Sequence, residues 1–141
     1  MPIIRFIDSP VRAETGRIVS LYRAEGWWYP GEDGDKDAAR LSAIVSGSHC
    51  FAVAEQDNGI VGMGRAISDR FSDAYIQDVA VRRDCRGQGI GTAIVSALVS
   101  RLESDGLGWI GLVAERSTEP FYYRLGFAPM PGATALLKIS S

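Results

Sequence analysis

Val81-Arg82-Arg83-Asp84-Cys85-Arg86-Gly87-Gln88-Gly89-Ile90-Gly91-Thr92 leaves an apolar strand, passes a glycine-rich loop and enters a strongly apolar helix. Glycines at 87, 89 and 91 allow positive φ and a close approach of the backbone to a ligand. The first amides of the following helix lack partners within it and sit at the positive end of its dipole. Such a helix start is a cradle for an anion, most often a pyrophosphate. Arg86 adds a fixed cation at the lip. A P-loop is excluded, because no lysine occurs between residues 37 and 137. The dinucleotide fingerprint needs G-x-G-x-x-G, and the spacing here is G-x-G-x-G.

Working outward, Ile90, Ala93, Ile94, Ala97, Leu98 and Leu102 recur at helical spacing and predict one buried face for the helix after the loop. Residues 73–82 read as the strand before it and Trp109 to Ala114 as the strand after it, so the three form a parallel crossover. Upstream, Phe51–Glu55 and Ile60–Ser68 read as strands joined by the turn Asp57-Asn58-Gly59. At the N-terminal side, residues 2–8 form a strand. Ser9 then caps a helix with Pro10 at its first position, and the helix ends at Gly26. Val11, Ile18, Leu21 and Tyr22 are expected to face inward. A second helix covers about 35–47, with Leu41, Ile44 and Val45 on one face. Downstream come a short helix over 117–125, ending at Gly126, and a last strand over 134–139. The expected order is β-α-α-β-β-β-α-β-α-β, an α/β fold on a mixed sheet.

With 141 residues, 46% hydrophobic and 23% charged, the chain fits a single domain spanning 1–141 with an apolar core. A net charge of −2 and the lack of a lysine- or arginine-rich block disfavour nucleic acid as a partner. No apolar run reaches the ~18 residues of a membrane span, and the start of the chain has no signal-peptide pattern, so a cytoplasmic location is expected. Two cysteines and one histidine are too few for a typical zinc site, and no metal is expected. Cys50 and Cys85 are read as reduced. Cys85 is taken as a small loop side chain. His49 and Cys50 are neighbours on a strand, pointing to opposite faces, and do not pair as base and nucleophile.

Two motifs carry a family resemblance. Arg86-x-x-Gly89-x-Gly91 resembles the acetyl-CoA pyrophosphate loop of the Gcn5-related N-acetyltransferases (GNAT). Phe121-Tyr122-x-x-x-Gly126-Phe127 resembles the C-terminal block of the same family. The resemblance runs from about residue 3 to 139. It implies a GNAT-like fold in which strands four and five are parallel and splay apart. It also implies acetyl transfer from acetyl-CoA to an amine of a small molecule or peptide by direct attack. Arg86, Gly87, Gln88, Gly89, Ile90, Gly91 and Thr92 would hold the phosphates, and the backbone of Val79, Ala80 and Val81 the pantetheine arm. A backbone amide there would polarise the thioester carbonyl. Pairing of two copies through their last strands is common in the family and makes a homodimer an expectation.

By the same resemblance, Tyr122 is the general acid for the departing thiolate; a phenol of pKa ~10 keeps its proton at neutral pH. Tyr123 points about 100° away on the helix. Many relatives carry a glutamate base on strand four, where this chain has Gln77, which cannot take a proton. Asp78 follows it, on the opposite face unless a bulge intervenes; it would bind an ammonium, relay a proton through water or tie down a loop. Family substrates meet the loop between the first two helices, here Trp27-Trp28-Tyr29-Pro30-Gly31-Glu32-Asp33-Gly34-Asp35. Its aromatics suit an alkyl or cationic amine, or one tryptophan plugs the core. A non-catalytic acyl-CoA sensor and a transferase of longer acyl groups are the alternative readings.

Overall fold

Strand β2 (Cys50–Gln56) is buried on both faces over its first five residues, so helices must cover the sheet on both sides. The protein is seen here as a computed structural model describing residues 2–29, 34–57 and 59–140. Around β2 the chain runs β1 (Ile3–Phe6), α1 (Arg12–Ala24), α2 (Gly34–Gly47), then β3 (Gly59–Ser68), β4 (Asp73–Val81), α3 (Ile90–Ser104), β5 (Trp109–Leu112) and α4 (Glu119–Tyr123). The strands lie in the order β1-β2-β3-β4-β5. The first four are antiparallel neighbours, and β4 pairs with β5 in parallel through the α3 crossover. This is the expected mixed α/β sheet.

Two apolar clusters lie on opposite faces of the sheet. α3 packs Ile90, Ile94, Val95, Leu98 and Leu102 against Ala52, Ala54, Ala74 and Ile76. α1 and α2 pack Ile18, Leu21, Tyr22, Leu41 and Val45 against Phe51, Val53, Met63 and Ala80. The approach of α3 depends on glycine at positions 62 and 64 of β3. A Cβ on Gly64 would stand 2.8 Å from Ile94 and 3.0 Å from Leu98.

Three local expectations change. Helix α1 starts at Arg12 behind Val11, and Ser9 and Pro10 lie before it. Glu14 replaces the serine cap: its Oε1 accepts from the Val11 amide at 3.2 Å, while its other oxygen pairs with Arg5 of β1. Val11 is therefore exposed. Helix α4 is only five residues long. The last strand of the expected order is not formed: residues 131–140 are exposed and carry no ladder to the sheet. Leu136, Leu137 and Ile139 have a strand's composition, but a strand exists only where a neighbour takes its backbone groups. Asn58, Pro30, Gly31, Glu32 and Asp33 lie outside the described residues. No helix among the described residues is long and apolar enough to cross a membrane.

Candidate functional site

Pairing of β4 with β5 stops at Ile76 opposite Leu112, yet β4 runs on to Val81. The strands part there, and a cleft of about 990 Å³ opens between them. Its floor is Gln77 to Val81; one end is the loop after β4, and the other wall is α4 with the segment after β5.

The parting coincides with a β-bulge. Between the pairs Met63–Ala80 and Arg65–Gln77, β3 has one residue and β4 has two, Asp78 and Val79. Asp78 has φ +57, a left-handed conformation that costs a non-glycine residue ~1–2 kcal/mol, although aspartate tolerates it better than most. The extra residue changes which way the strand faces. Val79 packs towards α3 and Ala80 towards α1. Gln77 and Asp78 both reach Arg65 of β3, so the bulge brings them to one face, where simple alternation would separate them.

Asp78 is heavily engaged. Its Oδ2 accepts from the Tyr22 hydroxyl at 2.7 Å and from Arg65 Nε at 2.7 Å. The other Arg65 nitrogens donate to Ser48 Oγ and Gln77 Oε1, each at 3.3 Å. Burial, and then the Asp78 charge, push the Tyr22 phenol far above its ordinary range, so it stays a donor.

The loop after β4 makes a 3₁₀ turn at Arg83–Cys85 and delivers Gly89, with φ +83, as the cap of α3. Arg86, Gly87, Gly89, Ile90, Gly91 and Thr92 all line the cleft. A Cβ on Gly91 would meet the Phe121 ring at 3.3 Å, so the helix start and α4 close on each other only across a glycine. Gln88 does not line the cleft; it accepts from Gln56 Nε2 at 3.3 Å. Cys85 is buried beside the cleft, while Cys50 lies in the α3-side cluster, where burial pushes its thiol up to about 11. His49 pairs with Asp105, not with Cys50.

Tyr122 faces the cleft, edge-on to Phe121 at 4.9 Å and to Phe127 at 5.8 Å. Burial, and then the charge of Glu115, raise its pKa. Tyr123 is half exposed and outside the cleft. Of the three aromatics after α1, only Trp27 lines it. Trp28 is a correction: it is core, 8% exposed, stacked on Tyr22 at 4.4 Å with the Arg40 guanidinium 4.9 Å from its ring. Tyr29 is 76% exposed and away from the cleft. Tyr75, tilted against Trp109 at 5.1 Å, lines the cleft in their stead.

Sequence reasoning missed a clasp at the mouth. Glu25, which caps the C-terminus of α1, takes Arg86 on Oε1 at 3.1 Å and Arg116 on Oε2 at 2.9 Å. Arg116 also donates to the Glu25 carbonyl at 2.6 Å. Arg116 and Ser117 both have positive φ. Only the positive-φ Gly26 next to Glu25 marks the place in sequence, and it signals a helix end rather than a partner. Among the described residues no cluster of His, Cys, Asp and Glu suits a metal ion.

The profile of the acetyltransferase (GNAT) domain family matches residues 47–129, more than half of the chain. An uncharacterised N-acetyltransferase of Pyropia yezoensis is 34% identical over 134 residues, covering 91% of this chain and 75% of that protein. A chloroplastic serotonin N-acetyltransferase of Oryza sativa subsp. japonica is 40% identical over 73 residues, covering 52% of this chain and 36% of that protein. Among solved structures, a GNAT-family acetyltransferase from Streptococcus pneumoniae superposes with a TM-score of 0.79 at 23% identity, over 99% of this chain and 98% of the other. The chain spans between 30% and 48% of the length of the first curated relatives it matches.

Proposed function

The chain belongs to the GNAT acetyltransferase family, and on that premise we propose that it moves an acetyl group from acetyl-CoA to a primary amine. The observation that carries this is the cleft where β4 and β5 part, with an anion cradle at one end and a protonated phenol in its wall. The cradle fits a diphosphate: unpartnered amides at the start of α3, the lip cation Arg86 and glycines that keep side chains out of the way. Bound there, acetyl-CoA supplies an activated acyl group.

The residues divide the work. Val79, Ala80 and Val81 have no β5 partner and line the cleft, so their backbone can pair with an extended pantetheine arm as a strand would. An amide of this stretch polarises the thioester carbonyl. The amine attacks that carbon, the C–N bond forms and the C–S bond breaks. Tyr122 donates its proton to the departing thiolate, and the amine loses its own to water in the open cleft. Gln77 cannot accept that proton. Trp27, Tyr75 and Gln77 present an aromatic, uncharged wall suited to the carbon chain of the acceptor. Serotonin, named for one relative, is itself a primary amine on an aromatic alkyl chain, which supports that acceptor class.

The test is thiol release from acetyl-CoA across pooled primary amines at mildly alkaline pH, with mass spectrometry of the amines. Release that needs an amine, with one acetyl group gained on that amine, is expected. Tight CoA binding with no release on any pool would replace the transferase by an acyl-CoA sensor.

A further inference from the structure

Asp78 and Arg65 draw together several features of β4 that the transfer reaction leaves unexplained. Asp78 is the extra residue of the bulge, it is held at positive φ, and its carboxylate is taken up by groups from two other elements. Tyr22 comes from the core of α1, 2% exposed and fixed by its stack on Trp28. Arg65 comes from β3 and bonds both residues at the bulge, Gln77 and Asp78. A left-handed aspartate within a strand persists only where its surroundings over-determine it, and these contacts do so.

The same contacts argue against proton transfer at this carboxylate. Oδ2 accepts two hydrogen bonds, one of them charge-assisted, and protonation would give up the pairing with Arg65. Gln77 fits this reading as well. Its amide oxygen accepts from Arg65 without placing a second carboxylate on the same guanidinium.

We infer that Asp78, held by Arg65 and Tyr22, is a positioning residue that keeps β4 bent away from β5 and so holds the acyl-donor groove open, taking no proton itself. The bend sets where the amides of Val79, Ala80 and Val81 point, because the strand changes face at Asp78. This inference rests on the proposed binding of acetyl-CoA in that groove.

Three substitutions separate the conformation from the carboxylate. Asp78→Asn keeps an acceptor for Tyr22 and tolerates positive φ. Asp78→Gly keeps only the conformation. Asp78→Ala keeps neither. CoA affinity by calorimetry, thermal unfolding, and the pH profile of kcat are measured for each, with Tyr22→Phe as the variant that leaves the strand sequence intact. The affinity is expected to rank Asn above Gly above Ala, with Ala weakened about tenfold or more, the equivalent of ~1.4 kcal/mol of strain. Tyr22→Phe is expected to weaken CoA a few-fold. The shape of the pH profile should stay that of the wild type in the Asn and Gly variants.

A uniform collapse of kcat in all three variants, with the acidic limb gone and CoA affinity intact, would make Asp78 the base and overturn the inference. CoA binding by Asp78→Ala or Tyr22→Phe as tight as wild type would show that the groove needs no such support. If Asp78→Ala fails to fold, Tyr22→Phe and the Asn–Gly comparison decide alone. A wild-type protein that binds no CoA would instead remove the acyl-transfer reading on which all of this stands.

Discussion

Tyr122, the proposed acid, takes its electrostatic character from its neighbours. Phe121 and Phe127 meet its ring edge-on and bury much of it, and that burial raises the pKa before the charge of Glu115 adds to it. A raised phenol pKa keeps the proton in place to a higher pH than an ordinary tyrosine would. Tyr122→Phe should therefore lower kcat by ~10²–10⁴ while CoA affinity changes little. In the wild type, the alkaline limb of the pH profile should not fall below the ordinary tyrosine range. Equal turnover in the Phe variant would remove Tyr122 as the acid. Its neighbours were only partly legible. Family resemblance picks out Tyr122, but nothing in a run of Trp27, Trp28 and Tyr29 says which ring is core. That is settled by Tyr22, whose flat face takes Trp28 and leaves Trp27 at its edge.

Elements with a strong internal period were the readable ones. α3 repeats its apolar residues at helical spacing and forms over Ile90–Ser104, and the strands flanking Asp57 and Gly59 pair as a hairpin. The bulge in β4 was not readable, because Tyr75 to Val81 looks like any apolar strand. What distinguishes Asp78 is a partner on α1, 56 residues away. The missing last strand is the complementary case: Leu136, Leu137 and Ile139 have the composition for a strand but pair with no strand of the sheet, and they stay exposed. Packing of α3 on β3 gives the prediction at this scale. Valine at position 64 would drive its side chain into Ile94 and Leu98, which a bare Cβ would already meet at 2.8 and 3.0 Å, inside van der Waals contact. Gly64→Val should cost ~1–3 kcal/mol in chemical denaturation. A neutral result would mean that α3 can lift off the sheet.

Across the whole molecule, the clasp of Glu25 with Arg86 and Arg116 joins the end of α1 to the loop after β4 and the segment after β5. These parts of the chain lie as much as 91 residues apart, so no local pattern could reveal it. Glu25 also competes with any phosphate for Arg86. Glu25→Gln should tighten CoA binding about two- to fivefold at low salt, as expected of one charge removed at short range in a wet site, and the gain should shrink as salt is added. Weaker binding in that variant would mean that Glu25 aims Arg86 instead of competing for it. The bulge has a consequence of its own for the lineage of the gene. β4 is a strand whose parity changes midway, because it spends one residue more than its partner. A substitution at Gln77 or Val79 leaves that count alone. Deleting the codon of Asp78 restores one-to-one pairing, leaves Val79, Ala80 and Val81 on their present partners and faces, and takes out the left-handed residue at which the strand turns. The spacing between Tyr75 and Arg86 is thus held by arithmetic as much as by chemistry, and descent should tolerate new letters in this strand far more readily than lost ones.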